Sequence, residues 1–590
     1  MNITIDTYNQ RLLEIFRACR DENGNDSFNI DHNQTFFEIT NNPEHGDLTT
    51  NFAMMHAKSL KMSPAKLAEI LVNGFAQDRE RLLIKNINIA GPGFINLHLH
   101  EEFWQHSLSN MKLNLENYGF ENIGKRSKVN VEYVSANPTG PLHIGHCRGA
   151  IIGDVIASLY DKMGFEVTRE YYVNDAGGQI QQLIHSVKTK YLEKISIKPS
   201  DEIITYNGQY ITDIANILYD EYQNTLPDKQ ESDTIIKDYA IKYILNLIRQ
   251  DLKKVNIKHD LFFSEASLLE TDEISKTIAY LKSKNYIYRG KLPLPKNQDN
   301  AKIDEREQDL FVSTRFGDDI DRAVSKEDGS HTYFASDMAY HKNKLSRGFS
   351  KLINIWGADH AGYVKRLQGA VSALSDGSAN VEVILCQLVK LFRDNKPVKM
   401  SKRNNDYITI GEVVSEVGSD PIRFMMLFRK SDAPLDFDFV KVCDKSKENP
   451  VFYVQYANAR IHSVLRKSSE SNLNFINEFN SLESNFNMLI HPREINLIKK
   501  MTFFPILLKT VIRTNDVHRI AYFLHELASE FHALWNLGND NEDMRFITDN
   551  HVKTLQRLTL ILITCIEVDY IGAGFCLQLN LSKKIAKYTN

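Results

Sequence analysis

"KVNVEYVSANPTGPLHIGHCRGAIIGDVIASLYDKMGFEVTREYYV", Lys128 to Val173, changes periodicity twice. At its start Val129, Val131 and Tyr133 alternate with Asn130 and Glu132, the period-2 pattern of a strand. After a polar turn, Ile151, Ile152, Val155, Ile156 and Leu159 recur at helical spacing, and "FEVTREYYV" returns to strand texture. Strand, turn, helix and strand make a βαβ unit, which predicts a parallel sheet whose ligand crevice lies at the strand C-termini.

The turn itself, "SANPTGPLHIGH" from Ser135 to His146, carries the first chemistry. Gly140-Pro141 leads the chain out of the strand, and His143, Gly145 and His146 fall at the N-terminus of the next helix, where backbone N–H groups and the helix dipole attract anions. Two imidazoles three residues apart share a helical face and suit the phosphates of a nucleoside triphosphate, while Gly145 lets a flat base approach the backbone. The competing reading is that both histidines only cap the helix. Neither GxGxxG nor GxxxxGK[ST] occurs, which argues against ordinary dinucleotide or P-loop binding.

Working outward, 590 residues imply two to four domains. A net charge of -4 excludes a globally basic nucleic-acid binder, so a polyanion must be met by local patches. The six cysteines are scattered with no CxxC pair, so neither zinc nor a redox dithiol is expected and free thiols in a reducing compartment are. The opening "MNITIDTYNQRLLEIF" lacks the basic-then-apolar pattern of a leader, and no run approaches a membrane span of about 20 apolar residues. A cytoplasmic protein without membrane association is expected.

Residues 1–118 read as a small α+β unit. In "MSPAKLAEILVNGF" Ser63 caps a helix whose first position is Pro64, and in "GPGFINLHLH" Ile95, Leu97 and Leu99 oppose a polar side of Asn96, His98 and His100, read as a solvated face rather than a metal site. Residues 119–445 form the sheet domain, interrupted at about 186–300 by a Lys-, Asn- and Glu-rich helical insertion such as "DYAIKYILNLIRQDLKKVNI". Strand texture resumes in "SKLINIWGADHAGY" and "VEVILCQLVKLF". Residues 446–590 are amphipathic helix nearly throughout, a helical bundle.

A second signal stands in "KPVKMSKRNNDYITIGEVV", where Lys399, Lys402 and Arg403 flank the small Ser401. Mobile lysines there suit a pyrophosphate leaving group whose charge grows in the transition state. The "KMSP" at Lys61 to Pro64 shares three of these letters, yet its Ser-Pro reads as a helix start, so KMS alone is weak evidence.

HIGH after the first strand and KMSKR after the last strands together resemble the class I aminoacyl-tRNA synthetases. The segments "VEYVSANPTGPLHIGHCRGA", "YYVNDAGGQ", "TRFGDDIDR", "TYFASDMAYH", "WGADHAGYVKRL" and "SDAPLDFDF" are similar to the arginyl-tRNA synthetase family. "NPEHGDLTTNFAMMHAK" resembles its N-terminal domain and "NPVFYVQYANARI" its helical anticodon-binding domain, so the likeness covers nearly the whole chain. It implies a Rossmann-like parallel-sheet catalytic domain with a helical insertion, between a small α+β domain that touches the tRNA elbow and an all-α domain that reads the anticodon. It implies L-arginine, ATP with Mg²⁺ and an arginine tRNA as substrates, in a monomer that activates arginine only with tRNA bound.

Residue by residue, the likeness puts Pro141, His143, Gly145, His146, Gly357, Asp359, Lys399, Met400, Ser401 and Lys402 on ATP. Of these, His143, His146, Lys399 and Lys402 would be catalytic. It puts Glu132, Asn137, Tyr333, Asp337 and His360 on arginine, with Ser135 and His146 nearby. The side chains agree with a cationic substrate, since two carboxylates and a phenol in a sheet crevice match the fork of a guanidinium; the rival is a helix cap by Asp337 and a surface ion pair of Glu132. Asn174 and Asp175 either line the site or make the turn. Arg460, Arg466 and Lys467 are candidate tRNA contacts, and a solvated helix face explains them equally well.

Three features depart from the family pattern: Cys147 stands where many relatives have glycine, Lys402 completes a KMSK that many arginine enzymes vary, and the ending "LNLSKKIAKYTN" is unusual. The rival functions are a class I synthetase for another amino acid, a smaller nucleotidylyltransferase that would not need the helical domain, and a silent tRNA-binding paralogue.

Overall fold

Val129 and Val131 are buried on a strand, Lys128–Glu132, that forms the middle of a five-stranded parallel sheet. The computed structural model describes residues 3–22, 35–40, 42–115, 117–199, 204–291, 307–326, 328–398, 408–470, 475, 478–479 and 485–572. Strands β1 (Glu38–Ile39), β2 (Leu48–Thr50), β3 (Ile84–Ala90) and β4 (Phe94–Leu99) make an antiparallel N-terminal sheet in the order β1-β2-β4-β3. Its helix Pro64–Gln77 starts as expected, with Ser63 accepting the Lys66 N–H. The polar side of β4 is not fully solvated: Asn96 is buried and accepts the Thr49 hydroxyl at 2.7 Å, because β4 is paired on both edges.

The parallel sheet contains β5 (Lys128–Glu132), β6 (Glu166–Val173), β7 (Leu261–Ser264), β11 (Lys351–Gly357) and β12 (Asn380–Cys386), ordered β12-β11-β5-β6-β7. The chain runs outward from β5 to β7 and then returns to the other side of β5, so the order reverses between β5 and β11. That reversal opens a crevice at the strand C-termini, the usual place for a ligand. The stretch 186–300, expected as a helical insertion, supplies the helices Gln209–Tyr222 and Ser232–Lys254. It also contains edge strand β7, whose four residues are too short a run to stand out against neighbouring helices. Strand β8 (Ile287–Lys291) lies in the same stretch as well, and forms a small antiparallel sheet with β9 (Glu307–Phe311) and β10 (Arg322–Ala323). Strand β13 (Val389–Arg393) pairs with β14 (Lys396–Pro397) and β15 (Leu435–Asp438).

The helix Ile144–Lys162 joins β5 to β6 and buries residues on all its sides, Ile151 and Ile152 included. One side lies on the sheet, where Gly153 comes so near Tyr133 that a Cβ would sit 2.3 Å from the ring. The other side meets the helical domain, where the Tyr160 hydroxyl donates to the Ile512 carbonyl at 3.0 Å. That domain consists of helices Pro450–Glu470, Pro492–Thr502, Phe504–Thr514, His518–Asp540 and His551–Ile571 among the described residues. Its Lys509 reaches Asp6 at 2.9 Å and Glu121 at 2.8 Å, tying it to the N-terminal helix and the linker before β5. No helix among the described residues is long and apolar enough to cross a membrane.

Candidate active site

Beyond Glu132 the chain takes left-handed conformations at Val134 (φ 73°) and Ser135 (φ 41°), unfavourable for any side chain and most for a β-branched one. Neighbouring bonds hold the turn there: the Tyr171 hydroxyl donates to the Ala136 carbonyl at 2.7 Å and the Tyr172 N–H to the Ser135 hydroxyl at 3.1 Å.

At the start of the following helix the capping and phosphate readings turn out to be compatible. His143 Nδ1 accepts the Gly145 N–H at 3.1 Å, and His146 Nδ1 accepts the His143 N–H at 3.3 Å. The rings lie 3.9 Å apart at 35°. An imidazole that accepts through Nδ1 carries its proton on Nε2, so capping leaves each ring an Nε2–H donor at a helix N-terminus. Pro141 is half-buried beside them and Gly145 is exposed. Cys147 is buried, which pushes its thiol up to about 12 and leaves it a packing group. Arg148 is buried too, and its guanidinium donates to the carbonyls of Gln387, Ala433, Arg429 and Lys430 at 2.7–3.3 Å.

Lys399, Met400, Ser401, Lys402 and Arg403 lie outside the described residues, as does the C-terminal "LNLSKKIAKYTN". The segment that follows the basic loop is placed. Ile144 N–H donates to the Ile408 carbonyl at 3.2 Å and Ile410 N–H to the Leu142 carbonyl at 3.2 Å, so His143 and Thr409 pair as antiparallel neighbours. The start of the first signature's helix is thus joined through backbone to the segment that begins at Ile408.

The acidic part of the crevice is more elaborate than the sequence indicated. Glu132 is buried; its Oε2 accepts Lys344 Nζ at 2.6 Å and its Oε1 the Ser135 hydroxyl at 3.1 Å. The ion pair expected at the surface therefore exists, but inside. Asp337 Oδ2 accepts a hydroxyl at 2.5 Å, and the donor is Tyr363. Burial, opposed by that hydrogen bond and reinforced by Glu132 and Glu265, lifts the Asp337 carboxyl to about 7. Burial also raises Glu265, with Asp175 nearby adding to the effect. Tyr333, expected as the phenol of this pocket, is 71% exposed with Lys326 over its ring at 5.8 Å. Asn137 is exposed and donates to Gln179 at 2.8 Å. Gly357, Asp359 and His360 are exposed at the end of β11, across the crevice from the HIGH turn, with His360 Nε2 3.5 Å from Asp359.

Of the undecided pair, Asp175 ties the end of β6 to the end of β7: it accepts the Ser264 hydroxyl at 2.6 Å and the Ala266 N–H at 2.8 Å. Sequence reasoning missed Lys344, Tyr363 and Glu265. Tyr363 stands within "WGADHAGYVKRL" and Lys344 just beyond "TYFASDMAYH", but burial and partner are invisible in one dimension. Glu265 follows the overlooked strand β7.

The tRNA candidates separate. Arg460 lies over the rings of Tyr456 (4.2 Å) and Trp535 (5.0 Å) and meets His532 Nδ1 at 3.1 Å, whereas Arg466 and Lys467 are exposed.

Comparison with known proteins bears on the whole chain. Residues 108–366 match the model described as tRNA synthetases class I (R), catalytic domain; residues 454–568 match the DALR anticodon binding domain; residues 10–99 match the arginyl tRNA synthetase N terminal domain. The chain is 44% identical over 588 residues to an arginine–tRNA ligase of Chelativorans sp. (strain BNC1), covering 98% of each. It is 47% identical over 525 residues to one of Bartonella quintana (strain Toulouse), covering 88% of this chain and 89% of the other. The solved Thermus thermophilus arginyl-tRNA synthetase shares the fold, with a TM-score of 0.71 at 16% identity over 96% of this chain and 98% of that one.

Proposed function

The chain belongs to the class I arginyl-tRNA synthetase family, and from that membership we propose that it attaches L-arginine to its tRNA, using ATP and passing through arginyl-adenylate. The observation that carries the reading is the acidic pocket of Glu132, Asp337 and Glu265 beside two histidines at a helix N-terminus. The strand-turn-helix that starts at β5 supplies Glu132 to the first of these and both histidines to the second.

The arginine α-carboxylate attacks the α-phosphorus of ATP; a new C–O–P linkage forms and the α–β bridging bond breaks, releasing pyrophosphate. A terminal ribose hydroxyl of the tRNA then attacks the arginyl carbonyl, and AMP leaves. No covalent protein nucleophile is needed, so positioning and charge stabilisation do the work. His143 and His146 would donate Nε2–H to phosphate oxygens, and Lys399 and Lys402 would meet the departing pyrophosphate with Ser401 and Met400 alongside. ATP enters with its Mg²⁺ as substrate; Pro141, Gly145, Gly357 and Asp359 would hold its adenosine and phosphates. Asp337 and Glu132 would take the guanidinium, with Tyr333, Asn137, Ser135 and His360 around the rest of arginine.

The division into 1–118, 119–445 and 446–590 assigns the outer parts to tRNA, the first to its elbow and the last, with Arg460, Arg466 and Lys467, to its anticodon. A cytoplasmic monomer belongs to the same reading. ATP–pyrophosphate exchange with each amino acid, with and without tRNA, tests it. Exchange with arginine in the presence of tRNA is expected; exchange with lysine or glutamate instead overturns the specificity, and none under any condition favours a silent paralogue.

A further inference from the structure

Lys344 is completely buried, 2.6 Å from Glu132, with its ammonium 4.4 Å from the centre of the Tyr340 ring. Its position is set by a chain of neutral donors. His341 Nδ1 lies 2.8 Å from the Asp337 carbonyl, and Asn354 Nδ2 lies 3.2 Å from His341 Nε2. Burial, with Lys344 adding to it, holds His341 down at about 3, so the ring stays neutral and donates through Nδ1 while Nε2 accepts. The Asn354 amide is thereby oriented, and its Oδ1 faces Lys344 at 3.5 Å.

Three carboxylates, on β5 (Glu132), on the helix Tyr333–Ser346 (Asp337) and just beyond β7 (Glu265), share this region. On β6, Glu170 is already matched by Arg347 at 2.8 Å and by the Tyr340 hydroxyl at 2.8 Å, and Tyr172 stands near Glu265. From the segment after β11, Tyr363 gives Asp337 a hydrogen bond but no charge. Carboxylates crowded in a buried site take up protons unless a cation stands among them, and a protonated acid is a poor partner for a guanidinium.

We propose that Lys344 is a positioning residue for arginine: it saturates Oε2 of Glu132 and so fixes that carboxylate in the orientation that the substrate cation meets. The proposal rests on the arginine reading of the pocket. The ammonium acts through Glu132 on binding and leaves the phosphate end of the crevice unaffected.

The test is Lys344→Met in steady-state aminoacylation, with arginine and ATP varied separately over pH. Loss of a charged hydrogen bond predicts a KM for arginine raised about tenfold or more, with KM for ATP little changed. Because the Lys344 charge also favours the ionised form of Asp337, the pH midpoint of kcat/KM for arginine should move to the alkaline side, and Lys344→Arg should bring it back. An unchanged midpoint overturns the proposal, as does an equal rise in both KM values. Should Lys344→Met not fold, the cycle is completed in Glu132→Gln, where the carboxylate that Lys344 pairs with is gone; there the lysine change should add little to the arginine KM, and a full independent effect overturns the coupling. Wild-type protein inactive with arginine would instead sink the arginine reading itself.

Discussion

The Tyr363 hydroxyl donates to Asp337 Oδ2 at 2.5 Å, so the carboxylate at the centre of the pocket is held from a segment that follows a different strand of the sheet. The bond favours the charged form of Asp337, while burial, Glu132 and Glu265 favour the neutral one; the balance leaves the carboxyl near about 7.

Arginine use should therefore depend on pH across neutrality. Below about 7 the free pocket holds a proton on Asp337 that must leave before a guanidinium pairs with it; above, the carboxylate is ready. kcat/KM for arginine is expected to rise with pH through this midpoint, and arginine binding near it to release protons, readable by calorimetry in buffers of different ionisation enthalpy. For the unliganded fold the sign is opposite: a carboxyl raised from 3.8 costs stability as pH climbs from about 4 to about 7. Asp337→Asn should abolish the pH step and weaken arginine binding about a hundredfold, the scale of a charge-assisted pair.

Tyr363→Phe removes the donor that lowers the Asp337 pKa. The pH midpoint of kcat/KM for arginine should rise, and KM at neutral pH should increase about tenfold, while kcat at saturating arginine changes less. A midpoint that falls or stays would show that Tyr363 does not set this ionisation.

His146→Ala should lower the rate of adenylate formation about a hundredfold or more, the scale of a lost donor to developing charge, with a far smaller effect on arginine binding. Because His146 Nδ1 also accepts the His143 N–H, a loss of about 1 kcal/mol in stability should accompany it. Rapid-quench kinetics against equilibrium arginine binding separates the two; equal losses would remove His146 from the phosphate role.

Arg148→Met should destabilise the catalytic domain by about 3 kcal/mol, since four carbonyls lose one buried partner at once. Denaturant unfolding measures it. A variant within about 0.5 kcal/mol of wild type would mean that these carbonyls find other donors.

Much of the fold was legible because its elements are long and periodic. The strand, turn and helix from Lys128 to Val173, the Ser63 cap and the C-terminal helices all follow from spacing. Strand β7 escaped because four half-buried residues, Leu261 to Ser264, carry too little pattern. Within the site, the histidines were found from their place at a helix start, and Glu132 and Asp337 from resemblance and charge. The resemblance put Tyr333 in the pocket as its phenol, while the hydroxyl on the Asp337 carboxylate is that of Tyr363, brought in by the segment after β11.

Sequence by itself determined the local conformations, the family and which residue types are able to bind phosphate or a cation, because these depend on periodicity, capping and side-chain chemistry over short range. Only the tertiary structure decided how they meet. Parallel pairing of β11 and β5 brings Asn354 opposite Glu132, and the helix Tyr333–Ser346 lays Lys344 and Asp337 beside them. The charge of Asp337 follows from burial and from neighbours far away in sequence, Glu132 and Glu265 among them, and such proximities exist only once the sheet has formed.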